Sequence, residues 1–289
     1  MAVQPIWSVP EKKDKAQLQA GYIKQLEVNP KPMGEDEFFD IVNTYAEQAF
    51  ELKHKGFDVI IADNMRSLPH CRAAILGAKQ TKLPLIVTLE IEADGETNLG
   101  CDLAAALIVC QSLGAEAFAL SSRVSSREVL LEYIEEISQY STIPLLIKLN
   151  FAENPQTFSQ NFLKIKDKKF LRYDGTIFMA SETEPYFLDE FFEQSKPILC
   201  GFDMADELLE AEETSEDVLT VQVDTIEDAY NFAENSYMLN KAVSFLSDSE
   251  EALEMALLLY NGRAFVDSRS NMDEKALKNI AEGYGAIIR

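Results

Sequence analysis

Short apolar runs recur along this chain, and most are followed by a stretch with helical spacing. The runs are "LQAGYI" (18–23), "DVIIADN" (58–64), "LPLIVTLEI" (83–91), "AEAFALS" (115–121), "IPLLIKLN" (143–150) and "GTIFMAS" (175–181). Later ones are "KPILCGFD" (196–203), "VLTVQVD" (218–224), "KAVSFLSD" (241–248), "RAFVDS" (263–268) and "AIIR" (286–289). Many are apolar almost throughout rather than alternating. Such strands are buried on both faces, as in a parallel sheet covered by helices. The intervening segments carry helix stop and start signals. "GEDEFFDIVNTYAEQAFELKHKG" ends in Lys-His-Lys-Gly, and "SDSEEALEMALLLYNG" opens on Ser and Asp and closes on Asn-Gly. Repeated βα units predict an α/β fold, either a barrel or a doubly wound sheet.

With 289 residues, the chain has room for one large domain, or one domain and a small lobe. Composition shifts at "FDMADELLEAEETSED", which holds eight carboxylates and no base. We read that run as a solvated helix and loop. It sets a soft boundary, giving portions 1–195 and 196–289. Lys and Arg total 26 against 49 Asp and Glu, a net charge of -23. That field repels phosphate backbones and anionic membranes, so neither nucleic acid nor membrane is expected as a partner. The start, "MAVQPIWSVPEKKDK", has no apolar core of a signal peptide, and a cytoplasmic location is expected. Four cysteines (Cys71, Cys101, Cys110, Cys200) form no Cys-x-x-Cys motif, so a disulfide framework is not expected. His70-Cys71 reads as a helix start with one buried thiol rather than a metal site.

Chemistry in a βα fold sits at the C-terminal ends of the strands. Those ends carry Asp63-Asn64, Glu90, Ser121-Ser122, Asn150, Ala180-Ser181, Asp203, Asp224, Asp248 and Asp267-Ser268. The last four places have a simpler use as helix N-caps. No glycine-rich phosphate loop is present. His54 and His70 lie away from any strand end, which leaves a Ser-His-Asp assembly without support.

From Gly56 to Pro155 the chain resembles the homocysteine S-methyltransferase family, including the homocysteine domain of cobalamin-dependent methionine synthase. The likeness is carried by "TNLGCD" (Thr97 to Asp102) after a strand, and by the strand end Lys148-Leu149-Asn150-Phe151-Ala152. It can be followed from about Leu18 to about Phe191. The resemblance implies a TIM-barrel-like (β/α) fold and a zinc ion held by three cysteine thiolates, with the fourth position open to the substrate sulfur.

The positions matching those cysteines are Ser122, Ala180 and Ser181. A hydroxyl is a poor zinc ligand and a methyl group is none, so no metal site, no zinc and no other cofactor are expected. The family's Glu-Thr, which holds the substrate amino group, corresponds to Asp63-Asn64. The resemblance therefore makes Asp63, Asn64, Asn150 and Ser121 the substrate-binding candidates, with no catalytic residue assigned. The family's first two barrel strands find no counterpart, so an incomplete or rearranged N-terminal part is expected, with extra βα units after residue 195. Those units either complete the barrel or form a small α/β lobe. The function implied is that of a zinc-free relative in methionine or corrinoid metabolism. It would bind a small thiol or amino acid, or a partner such as a corrinoid protein or methionine synthase. An active S-methyltransferase with non-standard residues and an unrelated barrel lyase are the alternatives.

Overall fold

The computed structural model describes residues 18–30, 36–93, 95, 97, 100–148, 162–164, 175–201 and 204–289. Strand β1 (Ala20–Lys24) leads to helix α1 (Phe38–His54), β2 (Val59–Met65) to α2 (Leu68–Ala78), and β3 (Leu85–Glu90) to α3 (Leu103–Leu113). Next come β4 (Ala117–Ser121), α4 (Arg127–Ile137) and β5 (Leu145–Lys148). These strands form a parallel sheet in the order β1-β2-β3-β4-β5, and β6 (Phe162–Lys164) joins β5 antiparallel. A hairpin of β7 (Ile177–Ala180) and β8 (Pro185–Leu188) follows. The second parallel sheet has the order β13-β12-β11-β10-β9. It is built from β9 (Ile198–Leu199), α5 (Met204–Glu212), β10 (Val218–Gln222), α6 (Ile226–Asn235), β11 (Ala242–Leu246), α7 (Glu250–Leu259), β12 (Phe265–Val266), α8 (Glu274–Gly283) and β13 (Ile287–Ile288).

The fold is α/β, made of TIM-barrel-like βα units that, among the described residues, do not close into one barrel. No strand pairing joins the two parallel sheets among the described residues. All the strands of the first sheet precede residue 165 and all those of the second follow residue 197. The run at 175–181 needs correcting: β7 is a strand, but it pairs antiparallel with β8 outside both parallel sheets. The reason is the turn after it. The Ser181 hydroxyl accepts the N–H groups of Thr183 (3.2 Å) and Glu184 (3.0 Å), which reverses the chain at once. Strand β8 opens on Pro185, tolerated because β8 is an edge strand.

Alternation along the strands divides the first sheet into two faces. Ile60, Ala62, Leu85, Val87, Leu89, Phe118, Leu120, Leu145 and Ile147 pack with helices α1 to α4 in the main core. The residues between them, Val59, Ile61, Ile86, Ala117, Ala119 and Leu146, form a separate small cluster with Ala20 on the other face. The polar strand-end residues continue that second face.

Helix α2 is buried along its whole length, because the first half covers one side and the second half the other. Its one arginine, Arg72, spans the joint. Nη1 donates to Asn261 Oδ1 (2.9 Å), and Nη2 to the Leu257 and Leu258 carbonyls (2.9 and 3.2 Å) at the end of α7. Those carbonyls have no partner within their own helix and lie at its negative end, so a cation belongs there. The guanidinium also lies 5.2 Å from the centre of the Phe38 ring. Lys79 does the same for α8, donating to the Gly283 carbonyl.

Candidate functional site

Four polar side chains meet at the strand ends of the first sheet. Lys148, the last residue of β5, donates through Nζ to both oxygens of Asp63 on β2, at 2.7 and 2.9 Å. The same nitrogen reaches Asn64 Oδ1 at 3.1 Å. Ser121, at the end of β4, donates to that oxygen too (3.0 Å), with the Leu89 carbonyl at 3.3 Å. The ion pair is withdrawn from solvent: the Lys148 side chain is 5% exposed and that of Asp63 12%.

A bulge brings Asp63 and Asn64 to the same place. Ala62 pairs with Val87, and the next pair is Met65 with Leu89, so two residues of β2 stand opposite Thr88. Asn64 takes up the extra length in the left-handed region, at φ 52°. Asn is among the few non-glycine residues that accept this conformation readily. The Thr88 hydroxyl, fully buried opposite the bulge, has no hydrogen-bond partner among the described residues.

The other expected positions have other surroundings. Glu90 accepts from Arg123 Nε at 2.6 Å. The Ser122 hydroxyl accepts the N–H groups of Val124 (3.3 Å) and Ser125 (3.0 Å), and Ser126 caps α4 through the Val129 N–H. Asp63 is not a helix cap, since Ser67 precedes α2. Asn150 and Asp203 lie outside the described residues. Ala180 and Ser181 end β7, beside the start of α3, where the Asp102 N–H donates to the Thr183 carbonyl. Within "TNLGCD", Asp102 caps α3 through the Ala104 and Ala105 N–H groups, and Thr97 accepts the Cys101 N–H. In the second sheet the caps fall one residue beyond the expected aspartates, on Thr225 and Ser249. Asp224 and Asp248 tie loops instead, accepting from Gln222 and from Asn271. Asp267 holds Arg269 and likewise caps no helix; α8 is capped by Asp273. His70 is fully engaged. Its Nδ1 accepts from the Tyr45 hydroxyl (2.8 Å) and its Nε2 donates to the Val28 carbonyl (2.9 Å).

Sequence reasoning missed Lys148 as a member of the site. The signal was a lysine ending an otherwise apolar strand, a buried position that needs a carboxylate partner.

The model of the homocysteine S-methyltransferase family matches residues 15–183, more than half of the chain. The chain belongs to the homocysteine S-methyltransferase family. Among curated relatives, methionine synthase of Mycobacterium leprae (strain TN) is 24% identical over 124 residues, 41% of this chain and 10% of that protein. Methionine synthase of Mycobacterium tuberculosis (strain ATCC 25618 / H37Rv) is 25% identical over 124 residues, with the same shares. This homocysteine S-methyltransferase family member thus spans about a tenth of the length of those relatives. Among solved structures, N-acetylneuraminate lyase from Mycoplasma synoviae is 15% identical, with a TM-score of 0.32, over 91% of this chain and 71% of that one. Dihydrodipicolinate synthase from Acinetobacter baumannii, complexed with pyruvate, is 16% identical, with a TM-score of 0.30, over 92% and 72%. Likeness at this level carries no weight for the fold or the activity.

The zinc that the family implies does not fit the matching residues. Ser122 and Ser181 use their oxygens to hold backbone N–H groups, and Ala180 offers no donor. The thiols are elsewhere. Cys71 and Cys101 lie buried at helices α2 and α3; the neighbouring Cys110 thiol and burial push Cys71 well up, and burial does the same to Cys101. Burial raises Cys200 to about 12. No group of three His, Cys, Asp or Glu suited to a metal occurs among the described residues. No described helix is long and apolar enough to cross a membrane.

Proposed function

We propose that this chain is a ligand-binding relative within its family, one that holds a small amino acid or thiol without activating it on zinc. The observation that carries this reading is the donor set. Where the family places thiolates, the chain has two hydroxyls committed to backbone turns and a methyl group. The ligand would sit at the strand-end mouth, with Asp63 and Asn64 facing its ammonium and Ser121 fixing the Asn64 amide. Asn150 joins this set on the strength of the resemblance. A role in methionine or one-carbon metabolism is supported by the matched methionine synthases, and a corrinoid protein or methionine synthase is the partner class that this context suggests. A cytoplasmic setting suits the four free thiols. Portions 1–195 and 196–289, each with its own parallel sheet, are proposed as the two units of the chain.

Two measurements test the reading. Protein purified under reducing conditions is assayed for metal, then titrated with L-homocysteine. Well below one zinc per chain together with saturable homocysteine binding supports it. Stoichiometric zinc would favour an active S-methyltransferase with other ligands, and absence of homocysteine binding would remove the proposed ligand class.

A further inference from the structure

We propose that Asp63 and Asn64 form a primary-ammonium site whose resident is the chain's own Lys148, a tethered occupant that an amine ligand must displace. This rests on the reading above for the place of the site and adds how its occupancy is controlled.

Among the described residues three oxygens lie within hydrogen-bond distance of Lys148 Nζ: Asp63 Oδ1 at 2.7 Å, Asp63 Oδ2 at 2.9 Å and Asn64 Oδ1 at 3.1 Å. A primary ammonium has three N–H donors and no acceptor, so the cradle matches it in number and in kind. An ion pair needs only the carboxylate. The third acceptor exists because Asn64 is held at φ 52° in a bulge and its oxygen is pinned by Ser121. A buried ion pair adds little to stability over an apolar pair, so stability alone does not account for this arrangement. The orphan hydroxyl of Thr88 lies opposite the bulge, buried and without a partner among the described residues.

A tethered competitor acts at a high effective concentration, which weakens any free amine. Removing it should therefore expose the site. Wild-type protein, Lys148→Ala, and Lys148→Ala combined with Asp63→Asn are titrated with n-propylammonium, tetramethylammonium and L-homocysteine. Lys148→Ala should bind n-propylammonium on the order of tenfold or more tighter than wild type. Tetramethylammonium, which has no N–H, should not bind, and Asp63→Asn should abolish the gain. Equal n-propylammonium affinity in wild type and Lys148→Ala overturns the inference; if homocysteine still binds both, the reading above survives. Binding of n-propylammonium but not homocysteine to Lys148→Ala supports the inference and removes that reading. No amine binding to folded Lys148→Ala overturns the inference. Should Lys148→Ala not fold, lysine acylation of wild type followed by mass spectrometry decides. Lys148 should react far more slowly than Lys55, whose side chain is 58% exposed, and should speed up when n-propylammonium is added. Reaction at the Lys55 rate, or no response to the amine, overturns it.

Discussion

Lys148 and Asp63 belong to strands separated by two others, yet their side chains meet at 2.7 Å. Three inter-strand steps of about 4.8 Å would put them about 14 Å apart on a flat sheet. A lysine and an aspartate cannot span that from parallel stems. The sheet must therefore curl toward the face that carries Val59, Ile61, Ala117 and Ala119, as a barrel wall does. The curvature of a barrel is present, although the strands of the described residues do not complete the circle.

Breaking this pair from one side leaves a buried charge with no counterion. Asp63→Asn or Lys148→Met should each cost about 3–5 kcal/mol in urea unfolding. The double variant should cost much less than the sum, since both charges go together. Additive losses would mean that the two side chains act independently.

Arg72 should tolerate no substitute. Its two terminal nitrogens serve different acceptors, Asn261 on one side and the α7 carbonyls on the other. Lysine has a single nitrogen on a flexible stem and cannot reproduce that fork. Arg72→Lys and Arg72→Met should both lower the unfolding free energy, each by about 1–3 kcal/mol, the cost of buried acceptors left unpaired. A near-neutral Arg72→Lys would show that charge alone suffices at the joint.

His70 makes stability depend on pH. Burial holds its folded value below the ordinary imidazole value, with the Val28 carbonyl only partly opposing this. The unfolded chain takes up the proton near pH ~6.5, and the folded ring does so only at lower pH. The stability from the neutral ring is thus complete above pH ~6.5 and is lost as pH falls toward the folded value. Denaturation midpoints measured from pH 8 to pH 5 should fall, and the fall should be shallower in His70→Gln. Parallel curves would assign the pH dependence to other groups.

Two glycines allow strain to be separated from crowding. Gly114 has φ 106° with open space where a Cβ would stand, whereas Gly285 has φ 68° and a Cβ there would lie 2.4 Å from the Ser112 carbonyl oxygen. Gly114→Ala should cost about 1–2 kcal/mol from the left-handed backbone alone. Gly285→Ala should cost about 1–3 kcal/mol more, because α3 cannot move away. Equal costs would mean that the approach of Gly285 to Ser112 is loose.

The βα order was legible because buried parallel strands are written as unbroken apolar runs, and those of β2 to β5 stand within two or three residues of their observed ends. Strand β8 was not legible: four residues opening on proline carry too little pattern. Asp63, Asn64 and Ser121 were readable as polar residues at strand ends. What joins them, a bulge and a lysine reaching across the sheet, depends on register and curvature that no local pattern encodes. Arg72 was hidden for a similar reason. One arginine in "LPHCRAAILGA" states that a counter-group exists, but not that it lies on a helix about 185 residues away.

That separation has a consequence for how the chain is made. Arg72 leaves the ribosome 185 positions ahead of Leu257, whose carbonyl it needs. At 5–20 residues per second the wait is roughly 10–40 s. Throughout it, α2 presents an apolar surface and an unmet guanidinium to its surroundings. The first sheet cannot finish its helix layer during synthesis, and nascent chains arrested before Leu257 should be cut by protease at α2 and held by chaperones, whereas released full-length chains should resist both.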